Sequence, residues 1–259
     1  MSQASEHDFL GPQGLRTRGT VLVVTGRGET TRTYARLGAR LAADSYRVRV
    51  IAAPDVDPTD IDGSLTRLAV VLTEAITDLE STAPLVRPLA LLGSDSGAAA
   101  LAALVARSQT SAAWWPQAVV LAALPGYGTH DSAAWDDELD ARTHCTVHRG
   151  VLSEDAAVQR GTLDAAVPSA LLDAAYNSTV DLPHLLLVGD DDSYADRDAL
   201  SRAVKALPRA RLAVVRGGHH DVLNDLQHRS VAAEIVTFLE VLRDQEALVP
   251  IVGVESSAW

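Results

Sequence analysis

The stretch LLGSDSGAAALAAL, residues 91–104, decides the fold of this chain. A short apolar run leads into small residues and then into an alanine-rich segment, which predicts a strand, a sharp turn and a helix. At the tip of such a turn, called a nucleophile elbow, one side chain points into a cavity, and small residues two positions away allow close packing. Gly93 and Gly97 flank Asp95 symmetrically. Asp95 is therefore the side chain that we predict to be presented.

The two serines beside Asp95 are the alternatives for this role. Ser94 as the nucleophile would have Leu92 two positions before it, where the turn needs a small residue. Ser96 would rely on Ser94 and Ala98 and would require a shifted turn. We interpret both serines as spacers and as a helix cap.

Composition limits the class of protein. The chain has 259 residues, of which 47% are hydrophobic, enough for one α/β domain that we predict to span residues 1–259. The 22 Lys and Arg against 34 Asp and Glu give a net charge of −12, which disfavours nucleic acid and anionic membranes as partners. With Cys145 as the only cysteine, neither an intramolecular disulfide nor a thiolate metal cluster can form.

No stretch reaches the roughly 18 apolar residues that a membrane span requires, and the first residues do not resemble a secretory signal. We therefore expect a soluble, cytoplasmic protein without a membrane span.

Short β-branched runs alternate with amphipathic stretches along the chain, which predicts a mostly parallel sheet flanked by helices. Residues 126–182 carry little strand signal, and we predict that this insertion is a short helical cap over the strand ends. The alternative is a peripheral helical excursion without a role. The predicted strands are 20–25, 46–54, 88–93, 118–126, 184–190 and 210–218, and the predicted helices are 31–44, 65–80, a segment ending near 107, and 229–248.

The order of three motifs resembles the α/β-hydrolase fold, which places an elbow first, an acid after a later strand, and a histidine after the last strand. VGDDDSYAD, residues 188–196, has Asp192 where the family has its acid. GGHHDVLND, residues 217–225, has His220 where the family has its histidine. The resemblance implies a catalytic triad of Asp95, His220 and Asp192.

Neighbouring residues are the alternatives for two members of this triad. Asp191 is the second choice for the acid, and the acidic run as a whole could instead be a solvated loop. His219 is the second choice for the histidine, although the Gly-Gly-x-His register favours His220. In either case the histidine would move a proton and the acid would orient its ring.

A fourth motif, TGRGETTRTY at residues 25–34, is similar to the HG-x-GE…Y motif of the monoacylglycerol lipase and lysophospholipase branch of that family. The resemblance implies that the backbone N–H groups of Arg27 and Ser96 form an oxyanion hole. The chain departs from the branch at Thr25, where the branch has His, and at Asp95, where it has Ser. The Arg27 side chain is either an anchor for a substrate carboxylate or a solvated loop residue.

An aspartate at the elbow favours displacement at saturated carbon. Its usual pKa of about 3.9 leaves it ionised at neutral pH, and the following helix N-terminus favours the charge. Attack on an ester would give a mixed anhydride, and the intermediate would expel the carboxylate again. Displacement gives a stable alkyl ester that water activated by His220 can cleave. Haloalkane dehalogenases and epoxide hydrolases share this Asp but differ from the chain at Ser96 and at residues 25–28.

We predict a cofactor-independent enzyme that hydrolyses a small, largely apolar substrate through Asp95. The alternatives are a non-covalent acid–base enzyme of cyclase, dehydratase or lyase type, and a pseudoenzyme that only binds a ligand. Tyr127, Trp135 and Tyr176 are the candidate substrate-binding residues, and simple packing under the cap is the alternative for each. The sequence leaves the substrate and the oligomeric state open.

His144 and His148 lie four residues apart, as two metal ligands on a helix would. No third ligand completes a recognisable motif near them, so we expect a cap helix without a metal.

Overall fold

A twisted parallel sheet with helices on both faces organises the chain. The structure is a computed structural model that describes residues 7–128, 134–244, 248–253 and 255. The strands within these residues are β1 (Asp8–Phe9), β2 (Gly19–Val24), β3 (Tyr46–Ile51), β4 (Leu89–Ser94), β5 (Ala118–Ala122), β6 (His184–Gly189) and β7 (Ala210–Val215). Their order in the sheet is β1-β3-β2-β4-β5-β6-β7. β1 pairs antiparallel with β3, and the other described pairs are parallel.

The helices follow the strands as crossover connections. In the described residues they are α1 (Ala35–Ala43), α2 (Ile61–Thr82), α3 (Asp95–Arg107), α4 (Trp135–Arg142), α5 (Thr146–Glu154), α6 (Ser169–Tyr176), α7 (Arg197–Ala206) and α8 (His228–Asp244). A short 3₁₀ helix, Thr31–Tyr34, leads into α1. Three helices, α4 to α6, lie between β5 and β6, in the segment predicted to form the cap. None of the described helices combines the length and the apolar character that a membrane crossing needs.

The central strands are buried on both faces, which explains their continuous apolar sequences. Every residue of β2, β4, β5 and β6 is buried, as expected for parallel strands that helices cover on each side. One large cluster of apolar side chains lies between the sheet and α2, α3 and α6, and a second lies between the sheet and α1 and α8. The predicted fold class is confirmed.

The sequence patterns did not predict strand β1 or helix α7. β1 has only two residues, too few for a period-2 pattern to appear. α7 begins after Asp196, whose side chain accepts a hydrogen bond from the N–H of Ala199, and the acidic run before it masks its start. Several predicted strands also end earlier than expected, β3 at Ile51 and β5 at Ala122, because the residues after them turn into loops at the carboxyl edge of the sheet.

The elbow depends on a close approach of two backbone segments. Asp95 joins β4 to α3 with a φ of 50°, in the left-handed region that an ordinary side chain rarely adopts. A Cβ on Gly97 would lie 2.3 Å from the carbonyl oxygen of Thr25, and one on Gly93 would lie 2.7 Å from the Cα of Ala98. The loops after β2, β4, β6 and β7 all leave the same edge of the sheet, where parallel strands place ligand sites.

We expect Gly97→Ala to lower the free energy of unfolding by about 1–3 kcal/mol, because its methyl group would overlap the backbone of Thr25. Gly150→Ala is the matched control, since a Cβ there meets only the Glu154 side chain at 3.9 Å, and removing a glycine from α5 should stabilise by up to about 1 kcal/mol. Urea titrations of both variants measure the two effects. Equal stability of Gly97→Ala and the parent chain would contradict the packing argument.

Candidate active site

Both acids of the predicted triad lie within hydrogen-bonding distance of His220. The Nε2 atom of His220 lies 3.2 Å from Oδ1 of Asp95, and its Nδ1 atom lies 3.0 and 3.1 Å from the two carboxylate oxygens of Asp192. All three residues are buried, with exposed fractions of 2% for Asp95, 0% for His220 and 7% for Asp192. Three separate loops at the carboxyl edge of the sheet therefore bring His220 between Asp95 and Asp192.

The second choices for the triad lie elsewhere. Asp191 is exposed, whereas Asp192 turns inward and accepts a hydrogen bond from the backbone N–H of Tyr194 at 2.9 Å. His219 contacts Asp225 at 2.8 Å. Its ring lies 3.8 Å, centroid to centroid, from the ring of His144, one of the two histidines whose spacing resembled a metal motif.

Arg27 binds both oxygens of Asp95 and shares Oδ1 with His220. Its backbone N–H donates to Oδ2 of Asp95 at 2.9 Å, and its side chain donates from Nε to Oδ2 at 2.8 Å and from Nη2 to Oδ1 at 2.7 Å. The remaining guanidinium nitrogen donates to the carbonyl of Ala165. The sequence left open whether the Arg27 side chain is a solvated loop residue. The side chain is only 14% exposed, so it is not one.

The N–H of Arg27 thus binds an oxygen of Asp95 itself, which is the position that an oxyanion would occupy when an ester at Asp95 is hydrolysed. Ser96, the other predicted donor, lies in the first turn of α3 and lines a cavity that is described below.

The charges in this cluster reinforce one another. Burial alone would raise the pKa of Asp95, but Arg27 and His220 hold it well below its usual range. Burial opposes a charge on His220, but Asp192 and Asp95 raise its pKa to about 10. At neutral pH the cluster therefore pairs two carboxylates with a guanidinium and an imidazolium.

A cavity of about 490 Å³ lies next to Arg27, and Asp95 and His220 do not line it. The Arg27 side chain forms part of its wall and covers Asp95. The loop after β3 and the segment before α6 form much of the rest, with Val56, Gln159, Thr162 and Leu171 among the wall residues. Sequence reasoning missed these four because none of them carries a reactive group, and only the fold brings them together.

The three aromatic residues expected to bind substrate do not line this cavity. Tyr127 is 47% exposed and its ring stacks on that of Tyr176 at 5.7 Å. The Tyr176 hydroxyl donates to the carbonyl of Pro125 at 2.9 Å, which anchors α6 to the loop after β5. Trp135 packs under the guanidinium of Arg160 at 5.0 Å. The structure favours packing as their role, because their polar and ring contacts are made within the insertion and its base.

A buried polar network ties the insertion to the loop that carries Arg27. Arg142, at the end of α4, donates to Glu138 at 3.0 Å, to Asp221 at 3.3 Å and to the backbone carbonyl of Arg27 at 2.9 Å. Arg142 and Glu138 are each 1% exposed and Asp221 is 3% exposed. Because Arg142 binds the carbonyl of Arg27, it holds the peptide chain that presents the N–H of Arg27 to Asp95.

His148 and Glu29 complete this network. The Nε2 atom of His148 lies 2.8 Å from Asp221, and Glu29 accepts hydrogen bonds from the N–H of Gly26 at 2.9 Å and from the Tyr34 hydroxyl. Burial, with a smaller effect of Asp221, raises the pKa of Glu29 to about 8. Single ligand atoms of Glu29, His148 and Asp221 all lie within 4.8 Å of one another. The guanidinium of Arg142 already neutralises Asp221 there, which disfavours a metal cation.

We expect His220 to remain protonated at pH 8, because two carboxylates face its ring. NMR of ¹⁵N-labelled histidine measures this directly, and Asp95→Asn should lower the pKa of His220 by removing one of the two anions. Asp225→Asn, which removes the partner of His219, is the control that should leave His220 unchanged. A neutral His220 ring at pH 8 would contradict the charge assignment.

The same shift predicts a dependence of stability on pH. A pKa of about 10 in the folded chain lies above the ordinary value of 6.5, so protonation of His220 favours folding. This contribution is fully present below pH 6.5 and is lost as the pH rises toward 10. Urea titrations across this range should show a steeper loss of stability in the parent chain than in His220→Gln.

We expect Arg142→Met to lower the free energy of unfolding by about 3–5 kcal/mol, because it leaves buried Glu138 and Asp221 without their cation. Arg149→Met is the control, since its ion pair with Asp140 lies at the surface and should contribute less than about 1 kcal/mol. Denaturant unfolding compares them, and similar losses in the two variants would contradict a special role for the network.

Comparison with known proteins supports the architecture. The sequence matches no protein-family model and no curated protein. Among solved structures, the chain resembles a soluble variant of monoglyceride lipase from Saccharomyces cerevisiae in complex with a substrate analog. The TM-score is 0.71 and the identity 14%, over 91% of this chain and 90% of that one.

Two further structures show the same likeness. A monoacylglycerol lipase of Paleococcus ferrophilus has a TM-score of 0.63 and 16% identity, over 91% of this chain and 96% of that one. The esterase EaEST from Exiguobacterium antarcticum has a TM-score of 0.60 and 15% identity, over 90% of this chain and 94% of that one. At these identities the likeness establishes the architecture alone: the chain has the α/β-hydrolase fold.

Proposed function

We propose that this chain is a cofactor-independent hydrolase of small, largely apolar molecules, in which Asp95 displaces a leaving group from saturated carbon. One observation carries this proposal. The strained turn presents Asp95 with Oδ2 on the backbone N–H of Arg27 and Oδ1 beside His220, which is in turn bound to Asp192. The proposal assigns attack to Oδ1, once the Nη2 atom of Arg27 has moved away from it, and the later oxyanion to Oδ2.

In the first step, Oδ1 of Asp95 forms a bond to the substrate carbon while the bond from that carbon to the leaving group breaks. The leaving group departs with the electron pair. If it leaves as an alkoxide, as from an opened epoxide, the imidazolium of His220 supplies its proton. A halide leaves without needing one. The low pKa of Asp95 means that this nucleophile is already ionised.

The second step uses a change in charge that the first step creates. Esterification removes the negative charge of Asp95, which is one of the two anions that raise the pKa of His220. His220 has then given its proton to an alkoxide leaving group or, where a halide left, loses it to solvent, and as a neutral ring it can take one from water. The hydroxide adds to the Asp95 carbonyl, with the N–H of Arg27 available to the oxyanion, and the intermediate expels the product alcohol. Asp95 returns as a carboxylate and His220 as an imidazolium.

Non-covalent acid–base catalysis is the second candidate, because an ionised Asp95 and a protonated His220 lie 3.2 Å apart and could exchange protons with a bound molecule. It differs from the first candidate in one respect that can be measured: no bond forms between the substrate and Asp95.

We expect His220→Gln to accumulate an alkyl adduct on Asp95, because attack by the carboxylate needs no base and cleavage of the ester does. A panel of alkyl bromides, with and without a carboxylate group, serves as the probe, since bromide leaves without a proton. Intact-mass spectrometry measures the adduct, and peptide mapping locates it. In the parent chain, turnover in ¹⁸O-labelled water should place the label in Asp95.

Two variants serve as controls. Combined with His220→Gln, Asp95→Ala should form no adduct, and Ser96→Ala should still accumulate it, since Ser96 is assigned no covalent role. Turnover of a substrate without an adduct or an ¹⁸O label would reject the covalent mechanism in favour of acid–base catalysis. Binding without turnover, unchanged by Asp95→Ala, would reject both and leave a ligand-binding protein.

A further inference from the structure

Arg27 covers the side chain that the proposed reaction needs to expose. Its guanidinium binds both oxygens of Asp95 and also the carbonyl of Ala165, another residue of the cavity wall. A substrate carbon cannot reach Oδ1 of Asp95 from the cavity until the Nη2 atom, 2.7 Å away, has moved. The Arg27 side chain must therefore leave Asp95 during the proposed reaction.

Moving Arg27 away has a different cost for different ligands. The Arg27 side chain is 14% exposed and that of Asp95 is 2% exposed, so a neutral ligand that separates them leaves a poorly solvated guanidinium without an anionic partner. A ligand with a carboxylate offers the same planar, two-oxygen acceptor that Asp95 offers. The guanidinium then exchanges one carboxylate for another, while Asp95 keeps its contacts with His220 and the N–H of Arg27.

The covalent step adds a second reason for a carboxylate. When Asp95 becomes an ester it loses its charge, and Arg27 loses the anion that neutralises it. A substrate that carries its own carboxylate supplies this missing charge throughout the life of the intermediate. A neutral substrate does not.

The cavity suits such a molecule. Among its described wall residues Arg27 is the only cation, while Asp55 is exposed and Glu29 is bound to Gly26 and Tyr34. Val56, Leu171 and other apolar side chains continue from Arg27 into a small apolar recess lined by Leu65 and Leu68. A carboxylate at Arg27 would have its apolar body against Val56 and Leu171.

We propose that the ligand of this site is an organic carboxylate with an apolar body, and that its carboxylate displaces Asp95 from the Arg27 guanidinium. As a statement about the substrate, the inference rests on the proposed function, with the electrophilic carbon one or two bonds from the carboxylate. As a statement about binding, it can be tested without any turnover.

The test compares the binding of hexanoate and of hexanamide, two probes of the same shape that differ in charge, by isothermal titration calorimetry at fixed ionic strength. We expect the parent chain to bind hexanoate at least about tenfold tighter than hexanamide. Arg27→Gln should abolish this preference. Arg32→Gln, which removes the same charge from an exposed position outside the cavity wall, should retain it.

Asp95→Asn gives the sharper result, because an amide competes less well than a carboxylate for Arg27. We expect this variant to bind hexanoate about tenfold tighter than the parent chain does, with little change for hexanamide. The gain should vanish in the double variant Arg27→Gln/Asp95→Asn. If Asp95→Asn still tightens hexanoate binding when Arg27 is absent, the effect comes only from the loss of a negative charge. This result would overturn the proposal that the ligand carboxylate replaces Asp95 at Arg27. Thermal melts establish that each variant is folded, and Arg27→Lys replaces Arg27→Gln if the latter does not fold, with a reduced preference expected.

Equal binding of the two probes by the parent chain, or no binding of hexanoate, would overturn the inference. The adduct experiment separates this failure from that of the proposed function. If neutral bromides form adducts on Asp95 and hexanoate is not preferred, Asp95 is the nucleophile but the ligand is not a carboxylate. A preference for hexanoate that depends on Arg27, with no adduct from any bromide, would retain the anion site and reject the covalent reaction.

Discussion

A carboxylate that is 2% exposed needs partners, and the arrangement of this site follows from the partners that Asp95 has. Each comes from a different strand end: Arg27 after β2 and His220 after β7, with Asp192 after β6 behind His220. A parallel sheet can supply all of them because its strands end along one edge. Arg27 and His220 together hold the pKa of Asp95 well below its usual range despite its burial.

The insertion between β5 and β6 takes part in the same arrangement. Arg142 reaches from α4 to the carbonyl of Arg27, so the backbone that presents an N–H to Asp95 is held from the insertion. Glu138 and Asp221 neutralise Arg142, and His148 binds Asp221. A change in the packing of the insertion therefore acts on the site through the Arg142 guanidinium and also through α4 itself, because the backbone N–H of His220 donates to the carbonyl of Ala141 at 3.2 Å.

The charges of Asp95 and His220 before the reaction explain how His220 can donate a proton in one proposed step and accept one in the next. With Asp95 ionised, His220 is held in its protonated form, and with Asp95 esterified, in the proposed intermediate, one of the two anions that raise the pKa of His220 is gone. The same loss of charge leaves Arg27 without its partner. A substrate that contributes an anion would stabilise the guanidinium at that stage. Charge balance around Asp95 thus links the proposed chemistry to the proposed class of ligand.

The sequence alone determined the sheet and the strand–turn–helix with Asp95 at its turn, because β-branched periodicity and the glycines of Gly-Ser-Asp-Ser-Gly are local signals. It also indicated Asp192 and His220, through motifs whose chain order is characteristic. Only the tertiary structure decided what the Arg27 side chain does, and it placed Tyr127, Trp135 and Tyr176 away from the cavity. The Arg142 network was likewise beyond the sequence. Contacts between residues more than 100 positions apart, such as Arg142 with Arg27 at a separation of 115, leave no periodic trace in the chain, because they depend on how whole elements pack.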